Sequence, residues 1–157
     1  MKLELLLAVL CLLYAGCSNK DAAKNSQIMP CYTITYGSGG GVTGLYDGYY
    51  IDSLGTVSSW SGRTFATSEK KTLGRLTEKE ISEMTSAIKD NHLLDISHRQ
   101  NGNITTYFIF RKTGGEQTTI SWPGFEPDKK ISEELNSFYK KFLSIINRVK
   151  QYQRSNG

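Results

Sequence analysis

From Ile131 to Val149 the chain repeats an apolar side chain every three or four residues: Ile131, Leu135, Phe138, Phe142, Ile145 and Val149, with Tyr139 and Ile146 widening the stripe. This is the period of an α-helix that is apolar along one face. Such a helix draws most of its stability from packing that face against another surface. A helix that docks on a separate protein has the same pattern; here the stripe is assigned to the chain's own core. The facing surface is supplied upstream by segments that alternate with the period of a half-buried strand. Tyr32, Ile34 and Tyr36 share one side of a first strand, and Thr33 and Thr35 share the other. A glycine-rich turn over 37–44 leads to a second strand at 45–52, with Gly48 marking a bulge. Asp52-Ser53-Leu54-Gly55 turns the chain into a third strand at 56–60, and the polar, aperiodic stretch 62–74 reads as a loop with a frayed strand. A hairpin follows later, 104–111 with 116–122, closed by Thr113-Gly114-Gly115.

Between these strands Thr77-Glu78-Lys79-Glu80 forms a capping box, and Ile81, Met84 and Ile88 continue it as a helix ending near Asp90-Asn91. Leu93, Leu94 and Ile96 seat the segment after that helix on the sheet. Pro123-Gly124 stops the last strand, and Pro127-Asp128 opens the final helix with Asp128 as its N-cap. The predicted order is β-β-β-α-β-β-α, an α+β fold with both helices on one face of an antiparallel sheet. The 157 residues leave room for one domain. Hydrophobic residues at 38% and charged residues at 22% exclude wholesale disorder. Fifteen glycines against three prolines exclude a proline-rich linker protein and fit tight turns between regular elements.

The first 16 residues are of a different kind. Leu5 to Leu13 is an unbroken apolar run behind Lys2. It is too short for a membrane span of roughly 20 residues and fits the apolar segment of a secretory signal, about 7–15 residues long. Tyr14-Ala15-Gly16-Cys17 ends it with two small residues before a cysteine. This resembles the lipobox of bacterial lipoproteins, with Tyr14 standing where Leu is usual. The resemblance implies cleavage before Cys17, a diacylglyceryl thioether on its sulfur and acylation of the freed amine, hence palmitate-type chains in a membrane. The alternative is an ordinary secreted protein with a cysteine near its cleavage site. Two or more acyl chains hold a protein stably at about 0.8 kcal/mol per buried CH₂. Ser18, in place of Asp, resembles the sorting pattern of outer-membrane lipoproteins if the source is Gram-negative. The chain then divides into 1–16, a signal peptide; 17–30, the lipidated Cys and a polar tether; 31–149, one α+β domain; and 150–157, a polar tail. The tether would hold the domain on the order of 20 Å from the bilayer. With Cys11 discarded and Cys17 lipidated, Cys31 is the one thiol left, which excludes an intrachain disulfide. At a strand start, with no motif around it, Cys31 reads as a small buried hydrophobe before a nucleophile.

Sites for chemistry are sparse. Gly39-Gly40-Gly41-Val42-Thr43-Gly44 matches G-x-G-x-x-G, but a dinucleotide fingerprint needs a helix after it and a tyrosine-rich strand follows here. Leu45-Tyr46 replaces the Lys-Ser/Thr of a phosphate loop. A tight hairpin that uses glycine's access to positive φ accounts for the run; a backbone anion nest and a loop inserted into a partner's cleft are its functional readings. Gly39, Gly40, Gly41, Val42, Thr43 and Gly44 are therefore the candidate binding residues. His92 and His98 lie in no ligand pattern and read as two solvated histidines near a helix end, and neither a metal nor another cofactor is expected. Asp47, Asp52, Asp90, Asp95 and Asp128 would matter for catalysis only if two converged in a cleft, and Gly-x-Ser-x-Gly is absent. The net charge of +4 is scattered in doublets (Lys70-Lys71, Lys129-Lys130, Lys140-Lys141), which speaks against a nucleic-acid partner.

The order of these features resembles that of emfourin-type proteins, small inhibitors of thermolysin-like metalloproteases. A strand runs into Ser38-Gly39-Gly40-Gly41-Val42-Thr43-Gly44 and a second strand. A helix opens at Leu76-Thr77-Glu78-Lys79-Glu80 and ends near Leu93-Leu94. A hairpin carries Tyr107 and Trp122, and a helix closes the chain at Val149. This chain differs in a longer stretch between Trp60 and Leu76 and in its lipidation signal. The resemblance implies a protease partner, with the glycine loop at the matching position. The expectation is a membrane-anchored envelope lipoprotein with a non-enzymatic binding domain. The alternative is a small enzyme or ligand-binding lipoprotein with a cleft beside the glycine loop.

Overall fold

The computed structural model describes residues 32–156. The signal segment, Cys17, the tether and Cys31 lie outside the described residues. The fold is α+β, with a six-stranded antiparallel sheet and two helices. Its strands are β1 (Tyr32–Gly40), β2 (Leu45–Ile51), β3 (Thr56–Gly62), β4 (Glu69–Arg75), β5 (Ile104–Lys112) and β6 (Gln117–Pro123). Helix α1 (Glu78–Asp90) separates β4 from β5, and α2 (Glu133–Asn156) ends the chain. The spatial order is β4-β3-β2-β1-β5-β6, so β1 and β5 sit side by side at the centre.

β4 is a strand more than the sequence pattern predicts. It lies at the sheet edge, and Glu69, Lys70, Lys71 and Thr72 are exposed, so no apolar alternation marks it. Its register against β3 shifts between Val57 and Ser58, where the pairing passes from Gly74 to Thr72 and leaves Leu73 as the extra residue. The sheet's bulge is therefore here. Gly48, predicted as the bulge, pairs regularly with Gly37 on one side and Trp60 on the other.

One hydrophobic cluster joins both helices to a single face of the sheet. Tyr32, Ile34, Tyr36, Ile51, Val57, Phe108, Phe110, Ile120 and Trp122 come from the strands, Ile81, Met84 and Ile88 from α1, and the predicted stripe from Leu135 to Val149 from α2, while Ile131 packs on the core from the turn before that helix. Phe108 is at its centre, with Phe138 and Phe142 edge-on to it at 5.3 and 5.1 Å between ring centroids. The capping box of α1 forms as predicted: Thr77 Oγ1 accepts from the Glu80 amide and the Glu80 carboxylate accepts from the Thr77 amide at 2.8 Å. The same carboxylate meets Arg148 of α2 at 2.6 Å, which ties the two helices together. The start of α2 is displaced from the predicted Asp128. Asp128 accepts from the Lys130 amide in a turn of its own, and Ser132 caps the helix by accepting from the Leu135 amide at 3.1 Å. A hydroxyl one residue before the helix can reach an N3 amide, whereas Asp128 sits a full turn too early. At its other end α2 runs on through 150–156, which the sequence pattern marks only as a polar tail, and the Gln153 amide group donates to the Thr72 carbonyl of β4 at 3.4 Å.

Among the described residues no helix covers the opposite face of the sheet, which carries its own small aromatic cluster. Gly37 and Gly48 pair in its middle, and the rings of Trp60 and Tyr107 fold over them from either side. A Cβ on Gly37 would come within 2.5 Å of the Tyr107 ring and 2.8 Å of the Trp60 ring. The Trp60 indole N–H donates to the Tyr36 carbonyl at 3.1 Å, and Phe65 packs edge-on to Trp60. Aromatic cover of paired glycines restores the packing that the missing side chains would have provided.

Candidate functional site

The glycine run builds the hairpin between β1 and β2. Gly39 pairs with Tyr46 and Gly40 with Leu45; residues Gly41–Thr43 form a single 3-10 turn, and Gly44 closes it at φ 60°. A side chain on Gly39 would strike the Leu45 carbonyl and the Tyr46 Cα, so its absence is a steric requirement. The turn is held from several sides. The Gly41 amide donates to the Asn103 carbonyl at 2.5 Å, the Gly44 amide to the Gly41 carbonyl at 3.3 Å, and the Leu45 amide to Thr43 Oγ1 at 3.3 Å. Three of the amides that an anion nest would draw on are thus taken up inside the protein. Strand β2, with no helix, follows Gly44, so no helix N-terminus faces the loop. The turn presents an apolar tip instead: Val42 is fully exposed and Leu45 half exposed.

Beside this loop, on the helix side of the sheet, one corner is left open next to α2. A cleft of about 750 Å³ lies there, with Leu143 of α2 and the exposed Phe125 on its far wall. The strand register makes its floor. Ser38, Asp47, Ser61 and Glu69 occupy one row across β1 to β4, and Tyr36, Tyr49, Ser59 and Lys71 occupy the next. Ser38 Oγ is 2.7 Å from Thr106 Oγ1, which donates to the Gly124 carbonyl at 2.6 Å, so the inner end of the row is tied to the chain beyond β6. Burial, with the Tyr139 hydroxyl as a neighbour, pushes the Tyr36 hydroxyl well above the usual phenol range and keeps it a neutral hydrogen-bonding group. Asp47 and Glu69 are two strands apart, about 10 Å along the row at the usual strand spacing. Ser61 stands between them, so they do not share a proton as a close carboxylate pair does.

The histidines part company. His92 is exposed at the end of α1, where its Nδ1 is 3.3 Å from Asp95. His98, predicted to be solvated, has its Nε2 buried, because the 98–100 segment runs along β6 as an added rung: the Ser121 amide donates to the His98 carbonyl and the Gln100 amide to the Ser121 carbonyl. Among the described residues no three His, Cys, Asp or Glu side chains come together as metal ligands, and no helix is long and apolar enough to cross a membrane. The glycine positions were legible in the sequence as a tight turn between two strands. The cleft was not, because its residues are far apart along the chain and meet only through register. No protein-family model matches the sequence, and a comparison with curated proteins finds none that matches.

Proposed function

We propose that this chain is a bacterial envelope lipoprotein, anchored through acylated Cys17, whose domain binds a protein partner without catalysing a reaction. A protease is the partner class that the emfourin-like order of features suggests. The reading rests on one observation above all: Val42 stands fully exposed on a turn that is hydrogen-bonded to its own strands and to Asn103. An apolar side chain presented on a pre-ordered loop loses little conformational entropy on docking, which is the physical basis of a rigid inserting loop. The cysteine anchor places the domain on a membrane, the outer one if the cell is Gram-negative.

The test is a pull-down from native membranes with the anchored protein and with Val42→Asp, alongside inhibition of thermolysin as a probe protease. A partner retained by the native loop and lost with Val42→Asp is the expected outcome; identical partner sets would overturn the loop reading. Palmitate labelling should vanish in Cys17→Ser, and labelling that persists refutes the lipobox. The alternative, a ligand-binding or catalytic cleft, draws on the Ser38–Asp47–Ser61–Glu69 row. Loss of function on Asp47→Asn with Val42→Asp silent would favour it.

A further inference from the structure

A second cavity, of about 410 Å³, lies on the β6 side of the molecule, across β5 from the glycine loop. Its walls are the 98–100 segment that extends the sheet past β6 and the loop that leads into α2. Trp122 and His98 are inside; Glu126, Asp128 and Lys130 stand exposed around the mouth. Trp122 is 0% exposed and its ring is packed against Phe108 and Tyr139, yet its indole N–H has no hydrogen-bond partner among the described residues. His98 Nε2 is likewise buried and unpartnered among them. Each unmet buried polar group costs about 1–3 kcal/mol, and two in one cavity are an unusual concentration of that cost. The other indole of the domain shows the ordinary arrangement, since Trp60 donates to the Tyr36 carbonyl.

The chemistry of the two groups and the mouth narrows the ligand. An indole N–H only donates, so the atom facing Trp122 has to be an acceptor oxygen, and His98 with its proton on Nε2 donates to the same kind of group. The mouth carries two carboxylates against one ammonium, which repels a plain anion and favours a positive group. The size is in the range of small-molecule pockets, about 300–1,000 Å³. We infer that this cavity is a binding site for a small amino-carboxylate, its carboxylate inside against Trp122 and His98 and its ammonium at Glu126 and Asp128.

The inference is independent of the loop reading, and its test is separate. In the full chain purified in detergent, the indole N–H signals of Trp60 and Trp122 are followed by nuclear magnetic resonance, with Trp60→Phe used only to assign them. Glycine, 4-aminobutyrate and lysine are titrated, with acetate and methylamine as probes of each half alone. The expected result is a saturable shift of the Trp122 signal with at least one amino-carboxylate and with neither half-molecule. Glu126→Gln, at an exposed position that leaves folding intact, should weaken that binding about tenfold. No saturable shift with any of the three overturns the inference. A shift with acetate equal to that with the amino-carboxylates does so too, as does binding that is indifferent to Glu126→Gln.

Discussion

β1 is one strand made of two unlike halves. Residues 32–36 alternate Tyr, Thr, Ile, Thr, Tyr and send three large side chains into the core under the helices. Residues 37–40 are Gly, Ser, Gly, Gly and contribute almost no apolar side-chain surface. β1 pairs with β5 along its whole length and with β2 from Ile34 to Gly40, with no break between the two halves. In the first half the pairing is stabilised by what the side chains bury. In the second it is stabilised by what the missing side chains allow: Trp60 and Tyr107 close over Gly37, and the β2 backbone approaches Gly39 too closely for a Cβ. A strand can therefore leave the core without fraying, provided that another element supplies the contact, and the end it frees can carry an exposed loop.

The strongest challenge to this comparison is to the buried half. Phe108→Ala, opposite Tyr36 and at the centre of the aromatic core, should cost about 3–5 kcal/mol in a urea or thermal melt. Next comes the glycine half, where Gly48→Ala forces a methyl against the Tyr36 carbonyl and the Trp60 indole. A loss of about 1–3 kcal/mol is expected there, and a neutral result would show that close approach is not what orders this half.

A smaller effect is tied to pH. Burial, with Tyr46 nearby, raises the Tyr107 hydroxyl from 10.0 to about 12. The folded chain then holds this proton more tightly than the unfolded chain does. The corresponding stability is complete below pH 10 and declines as pH rises from 10 towards 12. Tyr107→Phe should flatten that part of the melting-temperature profile, and an unchanged slope would mean that the ring is not enclosed over Gly37. The smallest stability change belongs to Val42→Asp at the tip, within about 0.5 kcal/mol, since the side chain touches solvent alone. Loss of partner capture without loss of stability separates the exposed loop from the buried strand that supports it.

The sequence by itself determined the elements whose signal is local. The α2 stripe, the α1 capping box and the alternation of β1 depend on neighbours within a turn or two residues, and all appear in the structure. The glycine loop was legible for the same reason, as a hairpin that only glycine can close. What escaped the sequence depends on residues far apart in the chain. β4 is polar because it is an edge, and an edge is known only once the sheet is assembled. The capping role passed from Asp128 to Ser132 because α2 starts where the core receives it. Gly48 is small because Trp60 lies across it, and Trp60 comes from another strand. The cleft row Ser38, Asp47, Ser61 and Glu69, and the cavity where His98 meets Trp122, exist only through register and through the packing of distant segments. Local patterning sets the helices and the strands that feed the core, because backbone periodicity is a short-range property, whereas the edge strand β4 is set by the sheet it joins. The sites belong to the tertiary structure, because they are made where segments of unrelated sequence are packed side by side.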